Sequence, residues 1–329
     1  RCVTAEDYKT FVKRFFPNTQ AVSVFGGESG SFDSSLGVVS TQEFGKVFIS
    51  IKSTTGNFIP QAEKERLVQD LSPFTVASIT PVIVDPETIF LVLDVSARFN
   101  SNLTTLTSTA LASKINDTLI NFNKNNLQSF NSSFRHSQVT RLIDDTDDAI
   151  TSNITKVVLA KFFTPTLNEE VGYTIFFNNR IFNPHARHNS DQGGVTASTG
   201  FKVLGDTVNE HFFDDDGNGN VRRYYVLAGV KNYIDNTAGT VDYALGTISI
   251  NPINITSVSD VDGSSSTQIR VTALPDSFDI VPVRNQILEI DLENTSITTS
   301  IDSTEIGDVN VASSSQLATS STTSIASGY

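Results

Sequence analysis

Helical periodicity ends near residue 150 of this 329-residue chain and does not return. Beyond Ile154 the apolar residues come in short β-branched and aromatic runs punctuated by Gly, Asn and Asp, the pattern of strands joined by tight turns. Strands are predicted at 154–162, 172–177, 201–204, 208–213, 221–230, 240–251, 254–260, 268–273 and 287–292. Residues 151–293 therefore read as an all-β, sandwich-like domain.

Upstream, helix and strand signals alternate. Thr4 is placed to cap a helix with Asp7 at its third position, an Asp version of the capping box, and Glu6 and Asp7 suit the positive end of the helix dipole. Tyr8, Phe11, Val12 and Phe15 form one apolar stripe, and Pro17-Asn18 stops the helix. Strands follow at 21–25 and 46–52, and a helix from Pro60 to about Leu71. The runs 75–84 and 88–97 flank Asp85-Pro86-Glu87, which reads as a hairpin turn. Leu103, Leu106, Ala110, Leu111, Ile115, Leu119 and Phe122 keep a helical period, and a further helix is predicted over 137–150. The fold class is thus α+β: an N-terminal layer domain over 1–150, with helices on one face of a mostly antiparallel sheet, followed by the all-β region. The boundary falls near the acidic run Asp144-Asp145-Thr146-Asp147-Asp148.

Residues 294–329 are about half Ser and Thr, with no Lys, Arg or Pro. Alone, such a segment buries too little apolar surface to offset its ordering entropy. Ile297, Ile301, Ile306, Val309 and Val311 nevertheless suit an extended Ser/Thr-rich C-terminal arm docked on a partner, the other reading being a frayed tail.

The net charge is −13, and from Asp260 onward ten acidic residues face only Arg270 and Arg284. No Lys/Arg cluster suits a phosphate backbone, so nucleic acid is not an expected partner. No apolar run approaches the ~20 residues that span a bilayer, so no membrane association is expected. One cysteine, Cys2, allows no intrachain disulfide and fits a reducing cytoplasm. No signal peptide is visible, and the absent initiator Met leads us to expect a fragment lacking N-terminal sequence.

The motifs that could carry chemistry all have a plainer reading. Asp214-Asp215-Asp216-Gly217-Asn218-Gly219 opens like a calcium loop, with Asp214, Asp216 and Asn218 as the candidate ligands. The closing Glu is replaced by Tyr225, and Arg222 stands where a water-mediated ligand belongs, so a tight hairpin turn is the preferred reading. His185 and His188, with Asp191 and His211 as further ligands, could approach a zinc set, but they read as an exposed loop. Gly26-Gly27-Glu28-Ser29-Gly30 opens no helix and carries negative charge, so it is no phosphate cradle. Six Asn-X-Ser/Thr sequons are expected by chance in a chain this rich in Asn, Ser and Thr. No nucleophile elbow, Walker loop or dinucleotide fingerprint occurs, so no catalytic residue, cofactor or small-molecule substrate is expected.

Three motifs in order, "VTAEDY" opening a helix (Val3–Tyr8), a strand ending in Gly26-Gly27-Glu28, and "FGKVFISIK" (Phe44–Lys52), resemble the baseplate wedge protein family of T-even-type contractile-tailed bacteriophages, itself distantly related to the baseplate J-like family. The resemblance implies a C-terminal part of a late structural protein of the virion, not an enzyme. It implies a subunit assembled in the host cytoplasm into the tail baseplate, where copies form a homodimer and, with other wedge proteins, a ring around the hub that rearranges on tail contraction. The alternative is a β-rich cell-surface adhesin or receptor-binding protein, using Asn/Ser/Thr-rich loops on carbohydrate.

Overall fold

The computed structural model describes residues 1–29, 32–33, 38–39, 42–56, 58–183, 194–260, 265–282 and 286–303. It is mostly β, a β-barrel with extra strands beside it.

The first unit is built as its sequence suggests. Helix α1 (Ala5–Phe15) is closed by the expected capping box: Thr4 Oγ1 accepts the Asp7 N–H at 3.3 Å, and Asp7 Oδ2 accepts the Thr4 N–H at 2.8 Å. Those backbone hydrogen bonds hold the Asp7 carboxyl below the ordinary carboxylate range. The apolar stripe of α1 packs on β1 (Thr19–Gly26). A short antiparallel pair, β2 (Phe32–Asp33) and β3 (Val38–Val39), precedes β4 (Lys46–Ser53). β1 runs antiparallel to β4, and β4 pairs in parallel with β5 (Thr80–Val84) after α2 (Gln61–Leu71) crosses over. Cys2, Tyr8, Val12, Ile49, Ile51, Leu67, Leu71 and Ile83 fill a core between the helices and this three-stranded sheet.

The hairpin expected at Asp85-Pro86-Glu87 does not form. β5 ends in the first sheet, whereas β6 (Glu87–Phe99) begins the second and pairs with β7 (Ile150–Phe163) and β16 (Gln286–Ile290). Two adjacent apolar runs do not name their partners, and the α2 crossover has already assigned β5 a parallel place beside β4. Between β6 and β7 lie α3 (Ser108–Phe122), a π-helical segment Asn123–Leu127 and α4 (His136–Asp144). α4 stops short of the predicted residue 150. Asp147 Oδ1 accepts the Ala149 N–H at 3.0 Å and turns the acidic run into β7.

After β7 come β8 (Glu170–Phe176), β9 (Thr196–Ser198), β10 (Phe201–Val203), β11 (Asp206–Asp215), β12 (Asn220–Leu227), β13 (Val230–Asp242) and β14 (Thr247–Val258). β10 is bonded to both β11 and β14, so the order β10-β14-β13-β12-β11 closes on itself. The expected sandwich is therefore a barrel. Closure needs strong local bending, and register shifts supply it at Ile250/Ile253 in β14 and at Val221/Arg223 and Arg223/Tyr224 in β12. β9 then joins β11 to β15 (Ile269–Ala273), which lies against β7. The barrel and the strands beside it share one continuous apolar core.

The Ser/Thr-rich end begins as a strand. β17 (Ser296–Ile301) runs parallel to the second half of this chain's own β6, as β16 does to the first. Ser296 Oγ donates to Asp94 at 2.6 Å, and Ser108 Oγ donates to the Thr299 carbonyl at 2.8 Å. Ile306, Val309 and Val311 lie outside the described residues. Positions 150 and 293 both fall within or beside the strands of this one hydrogen-bonded sheet.

Candidate functional site

The acidic hairpin is the densest polar cluster of the barrel. Gly217 and Gly219 adopt φ of 75° and 101°, the left-handed backbone of the tight turn between β11 and β12. Asp216 turns its carboxylate onto that turn, accepting the Asn218 and Asn220 N–H groups at 2.8 and 2.9 Å and the Asn220 side-chain amide at 2.7 Å. Burial opposes these bonds, but they prevail and leave the Asp216 carboxyl below its ordinary value.

Asp214, 2% exposed, points elsewhere. It accepts from Arg222 Nε at 3.0 Å, Lys231 Nζ at 2.9 Å and Tyr233 OH at 2.9 Å. Arg222 lies over the Tyr233 ring and Lys231 over the Tyr224 ring, at 4.2 and 4.3 Å from the centroids. Burial pulls the Lys231 ammonium down, but the Asp214 bond and charge outweigh it and leave it raised. Asp215, fully buried, reaches the opposite way to Thr196 and Tyr243. The three carboxylates thus diverge and serve separate partners. Asn218 contributes its backbone N–H to Asp216 and its side-chain amide at 3.4 Å to the Asp216 carbonyl. Among the described residues no group of three His, Cys, Asp or Glu converges as a metal set. His185, His188 and Asp191 lie outside the described residues.

His211 sits in the barrel seam, 1% exposed, opposite Phe201 on β10. Its Nε2 lies 3.2 Å from Asp206 Oδ2. Burial is the main cause that holds the imidazole below its ordinary value, with Arg223 assisting against Asp206. Asp206 is held at about 2, first by the Asn209 side chain and backbone, then by His211 and Val208. Both shifts point one way. A lowered His is neutral in the fold while the unfolded chain takes a proton near pH ~6.5, so stability falls as pH drops below that value. A lowered Asp contributes stability that is complete above pH ~3.9 and lost as pH falls towards about 2. The denaturation midpoint followed by tyrosine fluorescence is expected to fall steadily from pH 7.5 to 3, and His211→Phe to flatten its upper part. A level profile in the unmodified protein contradicts this reading.

A second polar site joins the two cores. Lys52 on β4, 4% exposed, places Nζ 3.3 Å from Glu289 Oε2 on β16. Glu289 Oε1 accepts from Gln128 Nε2 at 2.8 Å, and Gln128 Oε1 accepts from Gln20 Nε2 on β1 at 3.0 Å. An open cleft of about 1410 Å³ runs beside this chain of bonds, with Phe58, Phe90, Ile120 and Phe162 among its walls. Two of the carboxylates that line it are held in ion pairs, Glu87 with Lys161 at 2.6 Å and Asp85 with Lys64 at 2.6 Å. No signal local to Lys52 reveals this contact, because its partner lies 237 residues away.

Large apolar side chains are exposed in and beside the β10–β11 and β12–β13 turns. Leu204, Val208, Leu227 and Val230 are 70, 85, 59 and 62% exposed, and Val226 and Ile234 accompany them. The β12–β13 turn is sharp, with Ala228 and Gly229 at φ of 51° and 79°.

Comparison with known proteins bears on the first half. Residues 4–84 match the family model "Baseplate structural protein gp6, C-terminal domain I", and residues 87–161 match "Baseplate structural protein gp6, C-terminal domain III". These limits coincide with the first sheet and with the span from β6 to β7. A curated relative, baseplate wedge protein gp6 of Enterobacteria phage T4, is 28% identical over 151 residues, a stretch that is 46% of this chain and 21% of the relative. With models of two gp6 C-terminal domains matching in series along residues 4–161, the comparisons support a gp6-like baseplate wedge protein fragment, similar to a structural protein of the bacteriophage tail baseplate.

Proposed function

We propose that this protein dimerises and, with other wedge proteins, links baseplate wedges into a ring around the hub, and that the ring changes shape when the tail contracts. The observation that carries the reading is the pair of adjacent gp6 domains at 4–84 and 87–161. A closed ring requires two distinct contact faces on each subunit. Exposed apolar side chains supply two candidates: Val3, Phe44 and Phe58 on the first unit, and Leu204, Val208, Leu227 and Val230 in and beside the two barrel turns. The work is done by surfaces, so no turnover of a small molecule is expected.

The organisation we propose is an α+β part, an all-β part and the C-terminal arm, with limits drawn by strand pairing. The first unit closes at β5. The second comprises β6 to β7 with β15, β16 and β17, and the barrel is inserted between β7 and β15.

Co-expression with the other wedge proteins is expected to yield a complex that survives size exclusion, and light scattering of the purified chain at tens of micromolar is expected to give a mass above the monomer. A strict monomer that enters no wedge complex would sink the proposal.

A further inference from the structure

The two cores of this chain are separate. One gathers Tyr8, Val12, Ile49, Ile51 and Leu71, the other Leu91, Leu93, Ile115, Leu159 and the barrel residues, and no residue belongs to both. The chain passes between them through Asp85-Pro86-Glu87, where β5 stops and β6 starts. Among the described residues two side-chain bonds cross the joint, Lys52 to Glu289 and Gln20 to Gln128, and the Gln128 to Glu289 bond ties their ends together on the far side. The far side of this bridge is stiff. Asn123, at the start of the π-helical segment, accepts the Ile290 N–H at 2.9 Å through its buried Oδ1, which pins that segment to the strand carrying Glu289. The open cleft beside the bridge leaves the first unit room to swing.

We propose that the Lys52–Glu289 pair and the Gln20–Gln128 bond form a releasable latch that sets the angle between the two cores, with Asp85-Pro86-Glu87 as the hinge. This rests on the reading that the subunit changes shape within the baseplate. A joint closed by apolar packing would release only at the cost of exposing that surface to water. A joint closed by an ion pair and side-chain amides exchanges its bonds for water when it opens, so a contact made by a neighbouring subunit can tip it. Closure is kept in one register by the same chemistry, since Lys52 left closed without its carboxylate would be a buried unpaired charge.

The test measures distance in the isolated full chain. Spin labels on cysteines replacing the exposed Glu65 and Asp117, in a Cys2→Ala background, report the separation of α2 and α3. A single narrow distribution is expected. Glu289→Gln and Lys52→Met should each widen it on the order of twofold and add a longer-distance population, as for a freed hinge. Lys114→Met, which breaks an ion pair inside the second unit alone, should leave it unchanged. Gln128→Leu keeps the Lys52–Glu289 pair and should widen the distribution in the same direction but less, so the test survives if a charge variant fails to fold. Folded Glu289→Gln, Lys52→Met and Gln128→Leu variants with unaltered distributions would overturn the latch. Because no wedge protein enters this measurement, a latch that opens as described while co-expression yields no complex defeats the assembly reading and not the latch.

Discussion

Phe201→Ala is expected to destabilise the barrel by about 3–5 kcal/mol, the usual range for emptying a buried aromatic site. Phe201 is fully buried, stacked on Phe213 at 4.7 Å between centroids, and lies 6.3 Å from the His211 ring. It also sits on the one strand that closes the barrel, paired to His211 on β11 and to Val258 on β14. With three residues, β10 has few bonds with which to hold both neighbours, so lost packing there acts on closure directly. Hydrogen exchange should accordingly rise first along β10 and the facing parts of β11 and β14, while the first unit keeps its protection because its core is separate. A loss below about 1 kcal/mol, the range of a tolerated core repacking, would mean that the seam is held elsewhere.

That seam also marks where sequence reading stops. The strands themselves were legible, because alternating β-branched and aromatic residues between Gly, Asn and Asp name a strand from its own residues. The 208–213 run became β11, and the 240–251 run resolved into the end of β13, a turn and the start of β14. Whether such strands stack as two sheets or curl into a barrel depends on register shifts such as the one between Ile250 and Ile253, and a shift leaves no residue signature of its own. Partner choice was hidden for the same reason at Asp85-Pro86-Glu87, where two runs adjacent in sequence entered different sheets.

The polar sites divide along the same line. Thr4 with Asp7, and Gly217 with Gly219, act within a few residues of themselves, and the capping box and the tight turn could be read directly. Lys52 gave no such sign. In the run Lys46–Lys52 it looks like the polar end of a strand, yet it is buried against a carboxylate from the other end of the chain. The composition of the Ser/Thr-rich end suits an arm seeking a partner, yet its described part pairs with β6 of its own chain. Composition reports how little apolar surface a segment carries, not where its backbone bonds go.

Asp215→Ala should be nearly as damaging as the seam substitution, for a different physical reason. Asp215 is fully buried, and its carboxylate gathers four donors from three parts of the barrel. Oδ1 accepts the Thr196 N–H at 2.7 Å and the Thr196 hydroxyl at 2.9 Å, anchoring β9, the strand that ties the barrel to β15. Oδ2 accepts the Tyr243 hydroxyl at 2.6 Å and the Gly217 N–H at 3.3 Å. Removing the carboxylate relieves its own burial but strands the Thr196 N–H and the Tyr243 hydroxyl, each at about 1–3 kcal/mol. A net loss of about 3 kcal/mol is expected, with Asp215→Asn intermediate because one amide oxygen can still serve Thr196. Tyr243→Phe removes one donor and should cost about 1–1.5 kcal/mol, and its effect should largely vanish in the Asp215→Ala background. That coupling, from four denaturation curves in a double-mutant cycle, separates a shared hydrogen-bond hub from two independent packing sites. Burial first, and then the Asp215 charge, hold the Tyr243 hydroxyl well above the ordinary phenol range. Tyr8, Tyr224 and Tyr233 are raised as well, mainly by burial, so ultraviolet titration should show Tyr243 as one of several tyrosines that resist ionisation, and Asp215→Ala should lower the titration of Tyr243 in particular. Additive losses from the two substitutions, with an unmoved tyrosine titration, would show that this carboxylate does not hold β9 to the barrel.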